Sequence, residues 1–171
     1  MGQKPQHMTS LYGAEMVRKD HPRIQFRGAL DTLHAQAVLC AAYLREAGDS
    51  FYAQGVDEIA QGIYAVLMAE CTEKPMQSLK FCGMTAEEIH DHSHFPKKYY
   101  GVEHFTPESS MGTAMAQLNL LRTRIRDVER EMYACFGEER EDINYALNRL
   151  SSYAYCLMCR LRAEQEGTLN V

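Results

Sequence analysis

Three arginines at four-residue spacing, Arg122, Arg126 and Arg130, carry the strongest chemical signal in this chain. On a helix they share one stripe with Asn119 beside an apolar face, while Arg124 and Asp127 point elsewhere. Guanidiniums in a row repel one another unless something anionic sits among them. Forked guanidiniums suit bidentate binding of oxygen anions, so one reading is a clamp for a polyphosphate or a carboxylate. The other is a solvated charged face paired with Glu129 and other acids.

Asp31 sits beside an apolar stripe in Gly28-Ala29-Leu30-Asp31-Thr32-Leu33. It is either solvent-facing or a fixed partner for an arginine of another helix. Asn148, Arg149, Ser151 and Ser152 crowd two turns of a later helix. Asn and Ser are poor helix formers, so their density there marks either interhelical hydrogen bonds or a ligand. His90, His92, His94 and His104, with Glu87 and Asp91, invite a metal reading, and Glu87-Glu88-Ile89-His90 has the Glu-x-x-His spacing of carboxylate-bridged di-iron bundles. Such bundles need the motif twice plus two further acids, and here it occurs once. Cys156-Leu157-Met158-Cys159 has CxxC spacing inside a helix without a second pair, so it reads as core and no metal site is assigned.

The elements that must position these groups follow from apolar periodicity. Leu30, Leu33, Ala37, Cys40, Ala41 and Leu44 mark a helix from about Phe26, closed by Gly48 and Asp49. Val56, Ile59, Ile63, Leu67 and Ala69 mark a second that stops near Pro75, and the two are expected as antiparallel neighbours. Thr85 caps a short helix ending at His94, which Pro96 stops, and the chain through Pro107 reads as loop. Loops this long in a helical protein usually cover or bind something. Met115, Leu118, Leu121, Ile125, Val128 and Met132 form a third long helix ended by Gly137. Ile143, Leu147, Leu150, Ala154, Leu157 and Leu161 form the last, at the spacing of a shallow-angle seam. No alternation of period two suggests strands. The expected fold is all-α: a bundle of four long helices plus one short helix, with an irregular arm over residues 1–25 and the bundle over 26–171 in a single domain.

Bulk properties bound the function. A chain of 171 residues, 46% hydrophobic, can bury a real core, which excludes disorder as a whole-chain description. Lys and Arg number 18 against 23 Asp and Glu, a net charge of −5, the wrong sign for coating nucleic acid or an anionic membrane. No apolar run spans a bilayer and no signal peptide core is visible in residues 1–20, so the expected location is the cytoplasm. Six scattered cysteines in a chain of this size read as reduced and buried.

The motifs resemble a known family. Thr9-Ser10-Leu11-Tyr12-Gly13, Val17-Arg18-Lys19, Arg23-Ile24 and the Gly28–Leu33 segment with Asp31 are similar to the opening of the corrinoid (cobalamin) adenosyltransferases of the trimeric helical-bundle class. The run from Arg122 to Arg130 and Leu147-Asn148-Arg149-Leu150-Ser151 resemble its two other signatures, in the right order over most of the chain. Met16-Val17, Asp20-x-Pro22-Arg23, Phe26-Arg27, Leu118–Thr123 and Ala146–Ser152 resemble the ethanolamine-utilisation branch most. There are departures. Gly2–His7 replaces the Thr-Arg-Thr-Gly-Asp type loop, Ser152 stands for an Asp, and Pro107-Glu108-Ser109 replaces Pro-Gly-Gly. The His and Cys-Cys-x-x-Cys metal motif of some branch members does not occur in these residues.

The resemblance implies transfer of the 5′-deoxyadenosyl group of ATP, with Mg²⁺, to the cobalt of cob(I)alamin, giving adenosylcobalamin and triphosphate. It implies that Arg122 and Arg126 meet the leaving triphosphate and that Asp31 pairs with Arg122. Thr9, Ser10, Lys19 and Asn148 would contact ATP, with Phe105 and Ser151 against the corrinoid. A homotrimer with sites between subunits is implied, as are an electron-delivering reductase, an adenosylcobalamin-dependent ammonia-lyase and association with a bacterial microcompartment. Two alternatives stand beside it: a corrinoid- or nucleotide-binding bundle without transfer, and a carboxylate and histidine metal bundle.

Overall fold

The computed structural model describes residues 5–169, so Gly2, Gln3 and Lys4 of the divergent amino-terminal segment lie outside the described residues. Six helices follow a small hairpin: α1 (Pro22–Glu46), α2 (Ser50–Thr72), α3 (Ala86–His94), α4 (Pro96–Tyr100), α5 (Gly112–Phe136) and α6 (Glu141–Glu166). Four long helices form the expected all-α bundle. Two details differ from expectation. The arm is not irregular throughout, because β1 (Met8–Ser10) pairs antiparallel with β2 (Met16–Arg18), Thr9 opposite Val17. Strands of three residues are too short to display a period. Pro96 stops α3 yet also opens α4, since a first-turn residue needs no N–H donor.

Local chemistry explains the helix ends. Pro22 begins α1, four residues ahead of the first periodic apolar residue, with the His21 ring accepting from the Arg23 amide at 3.2 Å. The Thr85 hydroxyl accepts from the Glu88 amide at 3.2 Å while the Glu88 carboxylate accepts from the Thr85 amide at 2.7 Å, a reciprocal box that opens α3. Gly137, at φ +57°, closes α5 as its position predicted.

Side-chain pairs fix how the helices run. Arg23 near the start of α1 meets Glu70 near the end of α2, and Arg45 at the end of α1 meets Asp57 near the start of α2, so these neighbours are antiparallel. Phe26 meets Phe136 edge-on at 5.6 Å, which makes α1 and α5 antiparallel as well. Tyr52 donates to Glu164 at 2.6 Å, and Asn144 donates to Tyr133 at 2.7 Å, so α6 runs against both α2 and α5. The order is therefore up, down, down, up, and the segment between α2 and α5 must travel back along the bundle. It climbs α6. Met76 bonds Asp142 at 2.8 Å, Phe81 stacks on Tyr153 at 4.9 Å, and the Thr168 hydroxyl reaches the Tyr100 carbonyl at 3.4 Å.

Leu30, Leu33, Leu44, Ile59, Ile63, Leu118, Leu121 and Leu150 fill the core. The α2–α6 seam is close enough that a Cβ on Gly62 would stand 2.7 Å from Leu150 Cδ2. Near the end of α2, on its side toward α1, lies a buried charge. The Glu70 carboxylate is 0% exposed and accepts from Arg23 Nε at 2.6 Å and from Arg27. Arg27 then donates to the Leu11 carbonyl at 2.8 Å, and Arg23 to Glu73 at 2.8 Å. One carboxylate thus ties α1, α2 and the hairpin together.

Removing one partner of a buried ion pair costs about 3–5 kcal/mol, whereas an exposed pair contributes about 1 kcal/mol or less. Glu70→Gln is expected to lower stability by the larger amount and Glu73→Gln by the smaller, as read by urea denaturation. Asp142 gives a pH signature. Its hydrogen bonds from Arg140 hold its pKa down at about 2 against an ordinary 3.8. A carboxylate with a depressed folded pKa stabilises the fold above its unfolded pKa and loses that contribution as pH falls. Stability lost between about pH 4 and pH 2 is expected to shrink in Asp142→Asn, as measured by denaturation at each pH.

Candidate active site

Twelve arginines are spread along the chain, and nine of them form ion pairs with Asp or Glu. Among the described residues, Arg122, Arg126 and Arg149 form none. Two of these, Arg122 and Arg126, line one cavity of about 350 Å³ between α5, α6 and the segment after α4. Burial first, and then the charge of Arg126, pull the Arg122 pKa below its ordinary value. Burial is the larger cause, and the neighbouring guanidinium adds to it.

Arg122 is half-buried with its guanidinium over the Tyr155 ring, 5.2 Å from the centroid. Tyr155 is itself fixed: its hydroxyl meets His104 Nδ1 at 3.0 Å, and its ring stacks with His104 at 5.9 Å and Phe105 at 6.1 Å. His104 Nε2 meets the His94 carbonyl at 3.3 Å, so both ring nitrogens are engaged. Burial pushes the Tyr155 phenol up to about 12, so it stays a protonated donor. Ser151, 5% exposed, completes the wall, its hydroxyl donating to the Asn148 carbonyl at 2.9 Å. The arrangement offers cations at one side of an aromatic and hydroxyl-lined space, fit to hold an anion beside an apolar group.

The structure thus brings together Phe105, Arg122, Arg126 and Ser151. Arg130 leaves the stripe: it pairs with Asp127, which also holds Arg124 at 3.3 Å. Glu129, a candidate partner for the stripe, instead accepts from Asn148 Nδ2 at 2.9 Å. Asp31 does not meet Arg122 within the chain. Phe26 stands level with Phe136, which puts Asp31 near the level of residue 131, nine residues and roughly 13 Å along the axis from Arg122. Asp31 is exposed on the outer side of α1. Thr9, Ser10 and Lys19 lie on and beside the hairpin, where Ser10 donates to the Gly13 carbonyl at 3.0 Å. None of the three lines the Arg122 cavity.

The histidine-rich helix assembles no metal cluster. The His90 and His94 rings lie tilted against each other at 4.0 Å, and His92 stacks on Tyr99 at 3.7 Å. Among the described residues no three His, Cys, Asp or Glu side chains stand together as metal ligands. Cys156 and Cys159 are buried in the core, their thiols pushed up to about 12 by burial. Sequence reasoning missed Tyr155 and His104 as wall residues. Tyr155 follows Ser151 by four residues and so shares its helical face, a signal available in the sequence; His104 carries none, because a loop has no period.

The model of the cobalamin adenosyltransferase family matches residues 1–161. The corrinoid adenosyltransferase EutT of Salmonella typhimurium is 34% identical over 160 residues, covering 91% of this chain and 58% of that protein. The corrinoid adenosyltransferase EutT of Escherichia coli K12 is 34% identical over 163 residues, covering 92% of this chain and 60% of its own length. The chain therefore spans about three-fifths of the length of these curated relatives. With a family match over nearly its whole length, the four-helix bundle and the arginine cavity belong to a member of the cobalamin adenosyltransferase family.

Proposed function

We propose that this protein transfers the 5′-deoxyadenosyl group of ATP to the cobalt of cob(I)alamin. The observation that carries the reading is the pair Arg122 and Arg126, without a carboxylate partner among the described residues and lining an aromatic cavity. Cob(I)alamin is a strong nucleophile, so no general base is required. The cobalt electron pair forms the Co–C5′ bond as the C5′–O bond breaks, its pair leaving on triphosphate, and cobalt passes from Co(I) to Co(III). The protein's task is to align C5′ and to meet the charge growing on the leaving oxygens. Arg122 and Arg126 do the second, Mg²⁺ arrives with the nucleotide, and Phe105 with Tyr155 supplies an apolar wall against the corrin face, Ser151 beside it.

The remaining contacts come from a neighbouring copy. Asp31 stands well along the axis from Arg122, and Thr9, Ser10 and Lys19 do not line its cavity in one chain, so a homotrimer with sites between subunits reconciles these four with the motif. Its apolar contact surface is available: Val38 and Leu39 on α1 and Tyr64 and Met68 on α2 are exposed, Leu39 at 67%. His34 and Tyr64 lie 6.2 Å apart and join these two helices into one face, with Asp31 one turn away. No helix among the described residues is long and apolar enough to cross a membrane. The reading extends to a cytoplasmic place in ethanolamine utilisation, with a bacterial microcompartment, a reductase that delivers the electron and an adenosylcobalamin-dependent ammonia-lyase that takes the product. The divergent residues 2–7 favour one alternative, a bundle that binds ATP or corrinoid without transfer.

An anaerobic assay with cob(I)alamin and MgATP, followed by absorbance, tests the reading. Arg122→Ala and Arg126→Ala are each expected to lower kcat by about 100-fold, the scale of one lost transition-state charge contact. Binding without turnover in the unaltered protein would select the alternative. Co-expressed Asp31→Ala and Arg122→Ala chains are expected to recover activity that neither has alone, because mixed trimers contain intact Asp31–Arg122 interfaces; a site within one chain would give no recovery.

A further inference from the structure

The third unpaired arginine has its own cavity. Arg149 is 8% exposed, so its side chain is more than nine-tenths buried, and its Nε has no hydrogen-bond acceptor. Its guanidinium lies over the Tyr145 ring at 5.3 Å and donates to the Asn148 side chain, leaving a buried cation served only by neutral groups. Leaving buried charge and a buried donor unmet costs a few kcal/mol, which a ligand would recover. The space it lines, about 580 Å³, lies between α6 and α3, with His90, Glu87 and Asp91 across from Arg149.

The signs in this cavity are mixed. Glu88 also faces it but is engaged in the cap with Thr85, and Asp91 accepts from the Tyr99 hydroxyl at 3.0 Å with one carboxylate oxygen. A carboxylate or phosphate ligand would meet Arg149 favourably and the three acids unfavourably; an amine would meet the reverse. A primary carboxamide suits both, since its carbonyl accepts from the guanidinium while its NH₂ donates to a carboxylate. Position points the same way. His90 lines this cavity and His94 lines the Arg122 cavity, and their rings lie against each other with centroids 4.0 Å apart. Arg149 lies six residues, roughly 9 Å, from Tyr155 along α6. A wide flat ligand in the first cavity would extend its rim into the second.

We propose that Arg149, with Asp91 and Glu87, forms a subsite that recognises a peripheral primary amide of the corrinoid and selects against the corresponding carboxylic acid. This rests on the corrinoid reading above. Corrinoids carry acetamide and propionamide groups around the ring, so the subsite would read substrate maturity, admitting an amidated ring and rejecting an acid form by repulsion from Asp91 and Glu87.

The test is anaerobic titration of the protein with cob(II)alamin and with its monocarboxylic acids, made by partial hydrolysis of the propionamides, in the presence of MgATP. The unaltered protein is expected to bind cob(II)alamin at least 10-fold more tightly than one of the acid isomers. Arg149→Met, which keeps the buried stem, is expected to weaken cob(II)alamin binding about 10-fold, and Arg149→Lys by less. Asp91→Asn with Glu87→Gln is expected to narrow the gap between amide and acid. Equal binding of every form by the unaltered protein would overturn the proposal, as would undiminished cob(II)alamin binding by a folded Arg149→Met chain. Should Arg149→Met not fold, the amide-to-acid ratio and the acidic variants still decide. Failure of the unaltered protein to bind any corrinoid would instead overturn the functional reading, and the subsite with it.

Discussion

A single buried carboxylate sets the frame on which the rest depends. Glu70 has no water to solvate it, so its charge must be met by protein, and both Arg23 and Arg27 turn inward to do so. In meeting it they bring the start of α1 against the end of α2, and Arg27 extends the network to the Leu11 carbonyl of the hairpin. The hairpin, shaped by its own strand pairing, is thus fastened to the bundle through the arginines that neutralise one acid in α2. Thr9, Ser10 and Lys19 take their positions from the pairing within that hairpin, and none of them lines the bundle's arginine cavity.

The same accounting of charge separates the arginines that have carboxylate partners from those that have none among the described residues. Arginines that hold the bundle together have carboxylate partners: Arg23 and Arg27 at one end, Arg140 against Asp142 where the crossover begins, and Arg124 and Arg130 on Asp127. The three without partners all face the groove between α6 and the crossover or its edge on α5. Two stand over aromatic rings, Arg122 on Tyr155 and Arg149 on Tyr145, where a π face lends partial compensation without consuming the guanidinium's donors. A cation so held is oriented in advance and still free to bind, which lowers the ordering cost of catching a ligand.

The crossover is the third element of the design. Because α2 and α5 run in the same direction, some forty residues must retrace the bundle, and they do so along α6 by way of Met76, Phe81 and Tyr100. This path lays α3 and the His104–Phe105 segment over the polar stripe of α6. Arg149, Ser151 and Ser152 of the polar stripe that is costly for a helix in isolation become the floor of two cavities once the crossover roofs them.

Much of this was legible in the chain itself. Periodicity located all four long helices and the capped short one, because burial of one face imposes a 3.6-residue repeat whatever the neighbours are. Spacing also placed Arg122 and Arg126 together, and Asn148 with Ser151, since residues on one helix keep their relative positions in any fold. The motifs of the arm and of the two late helices carried the family. What spacing could not decide was every relation between elements. Glu70 gave no signal, as nothing local distinguishes a buried acid from an exposed one. The hairpin was too short to show a period, and Pro96 reads as a stop when it is also a start. Arg130 shares the stripe of Arg122 by spacing, yet Asp127 claims it. Asp31 and Arg122 are linked by motif but stand more than two helical turns apart along antiparallel helices. Sequence determines what lies on each face, because a helix is local; only tertiary packing decides which faces meet, and so which charges are neutralised and which remain to bind.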